Sequence, residues 1–106
     1  SNQQRMSFGN VDKDGSESKV ALGSQDWRSQ PLGKGVYRVT FLPPFNGVAT
    51  VVATCQAKEN FASVVTNPNG MEFDVYTYKV NRVAPGQTDA DSADSPFSFI
   101  AISRFG

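Results

Sequence analysis

Histidine is absent from this 106-residue chain, and cysteine occurs once, at Cys55. Without an imidazole the chain lacks the commonest general base, the commonest neutral metal ligand and any Ser-His or Cys-His pair. A lone cysteine excludes an internal disulfide. Excess charge is missing too: ten basic residues balance ten acidic ones, so no positive field gathers nucleic acid or anionic lipid. No apolar run reaches the roughly 20 residues that span a bilayer, and no charged start leads into an apolar run as in a signal peptide. Neither a sustained helical stripe nor an internal repeat is present. Nucleic-acid binding, membrane insertion, a cofactor and enzymatic activity are therefore not expected.

What is present suits a β protein. Apolar residues make up 39% and aromatic residues 11%, enough for an ordinary core in one domain over 1–106. Ser1-Asn2 has the form of a remnant left by tag cleavage, so an excised domain of a longer protein is expected. Alternation and turn residues place strands near 5–11, 24–29, 35–42, 48–57, 61–67, 71–80 and 96–103. Tyr37, Val39 and Phe41 share one side of their strand, and Ala49, Val51, Ala53 and Cys55 one side of theirs. Met71, Phe73 and Val75 lie opposite Glu72, Asp74, Tyr76 and Tyr78. Pro43-Pro44 cannot donate to a ladder, so the chain turns or crosses over there. Asn67-Pro68-Asn69-Gly70 signals a hairpin, because Asn-Gly supplies positive φ. The polar, aperiodic stretch 81–95 reads as a long loop. The pattern as a whole predicts an all-β fold, a small antiparallel β-sandwich of six or seven strands.

The last strand differs from the others. Phe97, Phe99 and Ala101 project to one side and Ile100 and Ile102 to the other, so both of its faces are apolar. With no helix to cover the second face, another copy of the protein is the simplest cover. A homo-oligomer is expected.

Several segments together resemble a module found at bacteriophage tail-fibre and tail-spike tips and in some bacterial surface proteins. They are Phe8-Gly9-Asn10-Val11-Asp12-Lys13-Asp14-Gly15, Gly35 to Phe41, Pro44-Phe45, Ala49 to Thr54, Phe73-Asp74-Val75 and Phe97 to Ile102. A looser likeness extends to the H-type lectins of invertebrates. The resemblance implies an antiparallel β-sandwich that trimerises about an axis parallel to its strands, often at the C-terminal tip of a long fibrous protein. In the lectins, polar and aromatic residues of edge loops hold sugar at the protomer boundary with the help of a histidine, which this chain lacks.

Several constellations have a chemical and a structural reading. Asn10 to Ser16 looks like the first half of a calcium loop, but Ala21 stands where the bidentate acid belongs, and a hairpin turn at Asp14-Gly15 accounts for the same residues. Asp89, Asp91 and Asp94 offer oxygen ligands for a cation, against the simpler reading of a hydrated acidic loop. Asp26-Trp27-Arg28 offers a ring face and hydrogen-bonding charges to a sugar, unless Trp27 seals the edge of the core. Tyr76 and Tyr78, on one outer face, suit subunit packing or a ligand platform, with Arg82 completing a site at the protomer boundary. Cys55 reads as a small buried hydrophobe. Paired carboxylates can run a glycosidase, but so few strands leave little room for its cleft.

The expectation from sequence is a non-enzymatic, trimeric tip domain on a virion, contacting surface glycan or another host receptor through Asp26, Trp27, Arg28, Tyr76, Tyr78 and Arg82. A structural cap of a trimeric fibre with no ligand, and a lectin-like protein at the surface of a cell, are the alternatives.

Overall fold

Residues that alternate between apolar and polar in sequence alternate between core and solvent in space. The computed structural model describes residues 4–104, and of Arg82, Val83, Gln87 and Thr88 the backbone alone. Ser1 and Asn2 lie outside the described residues. Eight strands follow one another: β1 (Arg5–Val11), β2 (Trp27–Gly33), β3 (Val36–Phe41), β4 (Thr50–Cys55), β5 (Asn60–Thr66), β6 (Glu72–Ala84), β7 (Gln87–Ser92) and β8 (Phe97–Ser103). Among the described residues there is no helix, and so none long and apolar enough to cross a membrane.

The strands form two antiparallel sheets. One has the order β1-β8-β4; the other has the order β2-β3-β6-β5, with β7 also paired to β6. The expected all-β, two-sheet architecture is present, with eight strands where six or seven were expected.

The core lies between the sheets. Val11, Phe97, Phe99 and Ala101 enter it from the three-stranded sheet, and Trp27, Tyr37, Val39, Phe41, Phe73 and Val75 from the other. Full burial of such a side chain contributes about 1.5–3 kcal/mol. The rings meet edge-on, Trp27 and Phe73 standing 4.9 and 5.1 Å from Phe99, as ring quadrupoles prefer. Of the two apolar faces of β8, the Phe97 side fills this core. The Ile100 side faces outward, with Ile100 52% exposed. Cys55 sits half-buried in the inward row of β4, where burial raises its thiol pKa.

The segment containing Pro43-Pro44 carries the chain from β3 in one sheet to β4 in the other, and its Phe45 is buried against Phe41 at 4.4 Å. The Asn67–Gly70 turn joins β5 to β6 as a hairpin, with Gly70 at φ +73°.

Two boundaries differ from the sequence reading. The second strand runs over Trp27–Gly33, not 24–29, because Ser24 and Asp26 are occupied in fastening the preceding segment to β1. The stretch 81–95 is not a long loop. It holds the end of β6, a turn at Pro85-Gly86 and all of β7. Gly86 at φ +77° after proline is the type II turn signal. Beyond the body of the sandwich none of this ribbon's described side chains belongs to the core, so the core does not impose on them the alternation by which a strand is recognised.

Candidate functional site

The structure divides the sequence candidates into three groups. Asp26 and Trp27 are internal fastenings. Trp27 is 2% exposed, with its ring against Phe99 and its indole N–H donating to the Phe8 carbonyl at 3.0 Å. It seals the core and leaves no ring face for a sugar. The Asp26 carboxylate accepts from Ser24 Oγ at 2.5 Å, Ser7 Oγ at 2.7 Å and Arg5 at 3.1 Å. Partial burial raises its pKa, but these hydrogen bonds together outweigh that effect and hold it below the usual carboxylate value. Arg5 is itself fixed, its guanidinium 4.3 Å above the Phe45 ring. Arg28 is exposed on β2 and donates to the Trp27 carbonyl at 2.8 Å, with Glu17 at 3.4 Å.

Asp89, Asp91 and Asp94 form the second group, and they do not converge. Asp89 and Asp91 alternate along β7 with Asp91 accepting from Asn81 at 3.3 Å, while Asp94 accepts the Gly35 N–H at 2.7 Å. Among the described residues no three His, Cys, Asp or Glu side chains are placed to hold a metal ion. The calcium-like segment is a turn. Gly15 N–H donates to the Asp12 carbonyl at 2.9 Å with Gly15 at φ +92°, and Ser16 caps Asp14, lowering its pKa.

The third group is a surface. On the outer face of the five-stranded sheet the β3, β6 and β5 ladders set side chains in rows. Arg38 lies beside Asp74 and Val65, Val36 beside Tyr76 and Ser63, and Tyr78 beside Phe61. Phe61 and Tyr78 stack with centroids 6.1 Å apart. Phe61 and Tyr76 are 49% and 43% exposed, large values for rings on a sheet. Next to them Arg38 bridges two carboxylates, 2.6 Å from Glu72 and 2.8 Å from Asp74, and the Asp74 contact in particular raises its pKa. A shallow cavity of about 190 Å³ opens here, lined by Arg38, Val65, Asn67, Pro68, Glu72 and Asp74.

This face offers ring surfaces for C–H groups and carboxylate oxygens for hydroxyls. One guanidinium does not saturate two carboxylates, each of which has about four lone-pair sites. Tyr76 and Tyr78 thus share an outer face with Glu72 and Asp74, as the alternation predicts. Arg28 is on the same face but stands two strands and four residues from Tyr76, about 15–20 Å by strand geometry. The backbone of Arg82 continues β6 toward the ribbon, and its side chain lies outside the described residues.

Phe61 and Arg38 are the members that reading the sequence missed. Phe61 was within reach, since counting equal steps back from the Asn69-Gly70 turn sets it opposite Tyr78; Arg38 was not, because the β3–β6 pairing that brings it here joins strands that no single turn connects.

No protein-family model, curated protein or solved structure matches this chain.

Proposed function

We propose that this chain is a non-enzymatic recognition module that binds cell-surface glycan through the outer face of its five-stranded sheet. It works as a homotrimer at the tip of a phage tail fibre or related adhesin, on a virion or at a cell surface. The observation that carries the ligand reading is the surface formed by exposed Phe61 and Tyr76 with half-buried Tyr78, on the same face as Glu72 and Asp74. Aromatic side chains offer large contact area at low rotamer cost, and carboxylates placed next to them fix hydroxyl orientation. The fibre setting and the three-fold state rest on the sequence resemblance and on the two-faced last strand. Single sites of this shallow kind bind weakly; three linked copies turn later contacts into intramolecular ones.

The test is a glycan array probed with the chain and with Tyr76→Ala and Phe61→Ala. At least one glycan bound by the parent and lost by tenfold or more in both variants supports the reading. An array with no bound glycan at high valency overturns it in favour of the second reading, a structural cap of a trimeric fibre. Burial of Trp27 and immobilisation of Asp26, which remove two ligand candidates, favour that alternative.

A further inference from the structure

Asparagine stands before glycine twice, at Asn46-Gly47 and Asn69-Gly70, and aspartate once, at Asp14-Gly15. At such pairs a chain can react with itself, because glycine has no Cβ to keep its backbone nitrogen away from the preceding side-chain carbonyl. The fold treats the three pairs differently.

Two of them are tied down. Asn69 Oδ1 accepts the Met71 N–H at 2.9 Å, and a Cβ added to Gly70 would stand 2.3 Å from the Gly47 carbonyl oxygen, so this turn is packed against its neighbour. Asp14 Oδ1 accepts from the Ser16 N–H at 3.0 Å and from Ser16 Oγ at 2.6 Å, which keeps the carboxyl ionised and a poor target for a nucleophile. Gly15 is crowded by Pro31, whose Cδ would lie 2.5 Å from an added Cβ.

Asn46 is held by none of these means. It and Gly47 are exposed, and its carboxamide has no hydrogen-bond partner among the described residues. A Cβ on Gly47 would meet nothing within 4 Å among them. The backbone nitrogens do not make the difference: the Gly47 N–H bonds the Phe45 carbonyl at 3.1 Å, and the Gly70 N–H bonds the Asn67 carbonyl at 3.2 Å.

We propose that Asn46 is a site of spontaneous covalent modification, converting to aspartate and isoaspartate through a cyclic imide with Gly47, while the fold protects Asn69. The Gly47 nitrogen gives its proton to solvent and attacks Asn46 Cγ. The new N–Cγ bond closes a five-membered imide, the Cγ–Nδ2 bond breaks, and the amide nitrogen leaves as ammonia with a proton from solvent. Water then opens the imide at either carbonyl, one opening giving aspartate and the other isoaspartate. No oxidant or reductant takes part.

The product differs in charge and in backbone length. Ten basic residues balance ten acidic ones in the parent, so one added carboxylate makes the chain acidic. Isoaspartate also inserts a methylene into the main chain directly after Phe45, which is buried and whose N–H bonds the Gly70 carbonyl at 2.8 Å. For Asn69 to react, its turn must first open, breaking the Met71 bond and lifting Gly70 off the Gly47 loop. That requirement slows it by at least about tenfold.

Incubation of the whole chain at mildly alkaline pH, followed by tryptic peptide mapping, tests the proposal. Asn46 falls in the peptide 39–58, which has no other asparagine, and Asn69 in 59–79. In the folded chain Asn46 is expected to convert at least about tenfold faster than Asn69, with isoaspartate among its products. In concentrated urea the two are expected to convert at similar rates. Asn46→Gln is expected to remove the acidic species that isoelectric focusing separates from the parent. Asn69 keeping pace in the folded chain, Asn46 converting only in urea, or acidic species persisting in Asn46→Gln would each overturn the proposal. Aspartate formed without isoaspartate would overturn the imide route, and a rate difference that persists in urea would overturn protection by the fold.

Discussion

The buried backbone N–H of Ser95 donates to the hydroxyl of Tyr37, 3.1 Å away and 58 residues earlier in the chain. The same hydroxyl donates to the Lys13 carbonyl at 2.7 Å. Burial foremost raises the Tyr37 pKa, which keeps the proton on the oxygen and the donation in place. One phenol thus ties the first turn, the centre of β3 and the entry to β8. Tyr37→Phe keeps the ring in the core but leaves the Ser95 N–H without its acceptor. The expected loss is about 1–3 kcal/mol, the cost of an unsatisfied buried donor. Urea denaturation measures it, and an unchanged midpoint would refute the account.

Gly9 faces the six-membered ring of Trp27 so closely that an added Cβ would stand 1.9 Å from Cζ2. The ring cannot retreat, since its N–H is held by the Phe8 carbonyl and its edge by Phe99. Gly9→Ala is therefore expected to destabilise by about 3 kcal/mol, the upper end of overpacking costs. The only tryptophan reports it directly: its emission shifts to the red if the ring is expelled toward water.

Gly70 and Gly86 separate backbone strain from crowding. Both have positive φ, +73° and +77°, so alanine at either costs about 1–2 kcal/mol for the left-handed conformation. A Cβ on Gly86 would meet nothing within 4 Å among the described residues, whereas one on Gly70 would stand 2.3 Å from the Gly47 carbonyl oxygen. Gly70→Ala is expected to lower stability by at least about 1 kcal/mol more than Gly86→Ala. Equal effects in paired thermal melts would show that the Gly47 loop yields freely.

How much of this was legible in the sequence depended on whether the core or something else dictated the pattern. Tyr37, Val39, Phe41 and Phe73 could be read because a half-buried strand leaves a period of two. The β6–β7 ribbon was not, because none of its described side chains belongs to the core; its clue is the Pro85-Gly86 turn. Met71 looked like a core residue by parity, yet it ends the hairpin turn and is 44% exposed. The face proposed to bind ligand was half legible. Tyr76 and Tyr78 could be assigned to an outer face by alternation, and the Asn69-Gly70 turn sets Phe61 opposite Tyr78, but Arg38 comes from a strand that no turn joins to theirs and only the register supplies it. Trp27 shows the converse, since its neighbours Asp26 and Arg28 suggested a wet site while its own parity pointed inward.

The Asp26 carboxylate supplies a pH dependence whose sign is set by its lowered pKa. A group ionised more readily in the folded state stabilises the fold above its unfolded pKa, about 3.9, and that contribution fades as pH falls through the folded value. Asp26→Asn removes the charge at every pH but leaves an amide of the same shape. Its cost at neutral pH is expected near 1 kcal/mol, below the roughly 1.5–3 kcal/mol of hydrogen bonds to a charged group, because the carboxylate is 28% exposed and partly screened. The gap between parent and variant should hold from pH 7 to 5 and close below pH 4, where the parent carboxylate takes up its own proton. Urea midpoints at pH 7, 5 and 3 measure it. A gap that persists undiminished at pH 3 would show that Ser7, Ser24 and Arg5 recognise the shape of this side chain and not its charge.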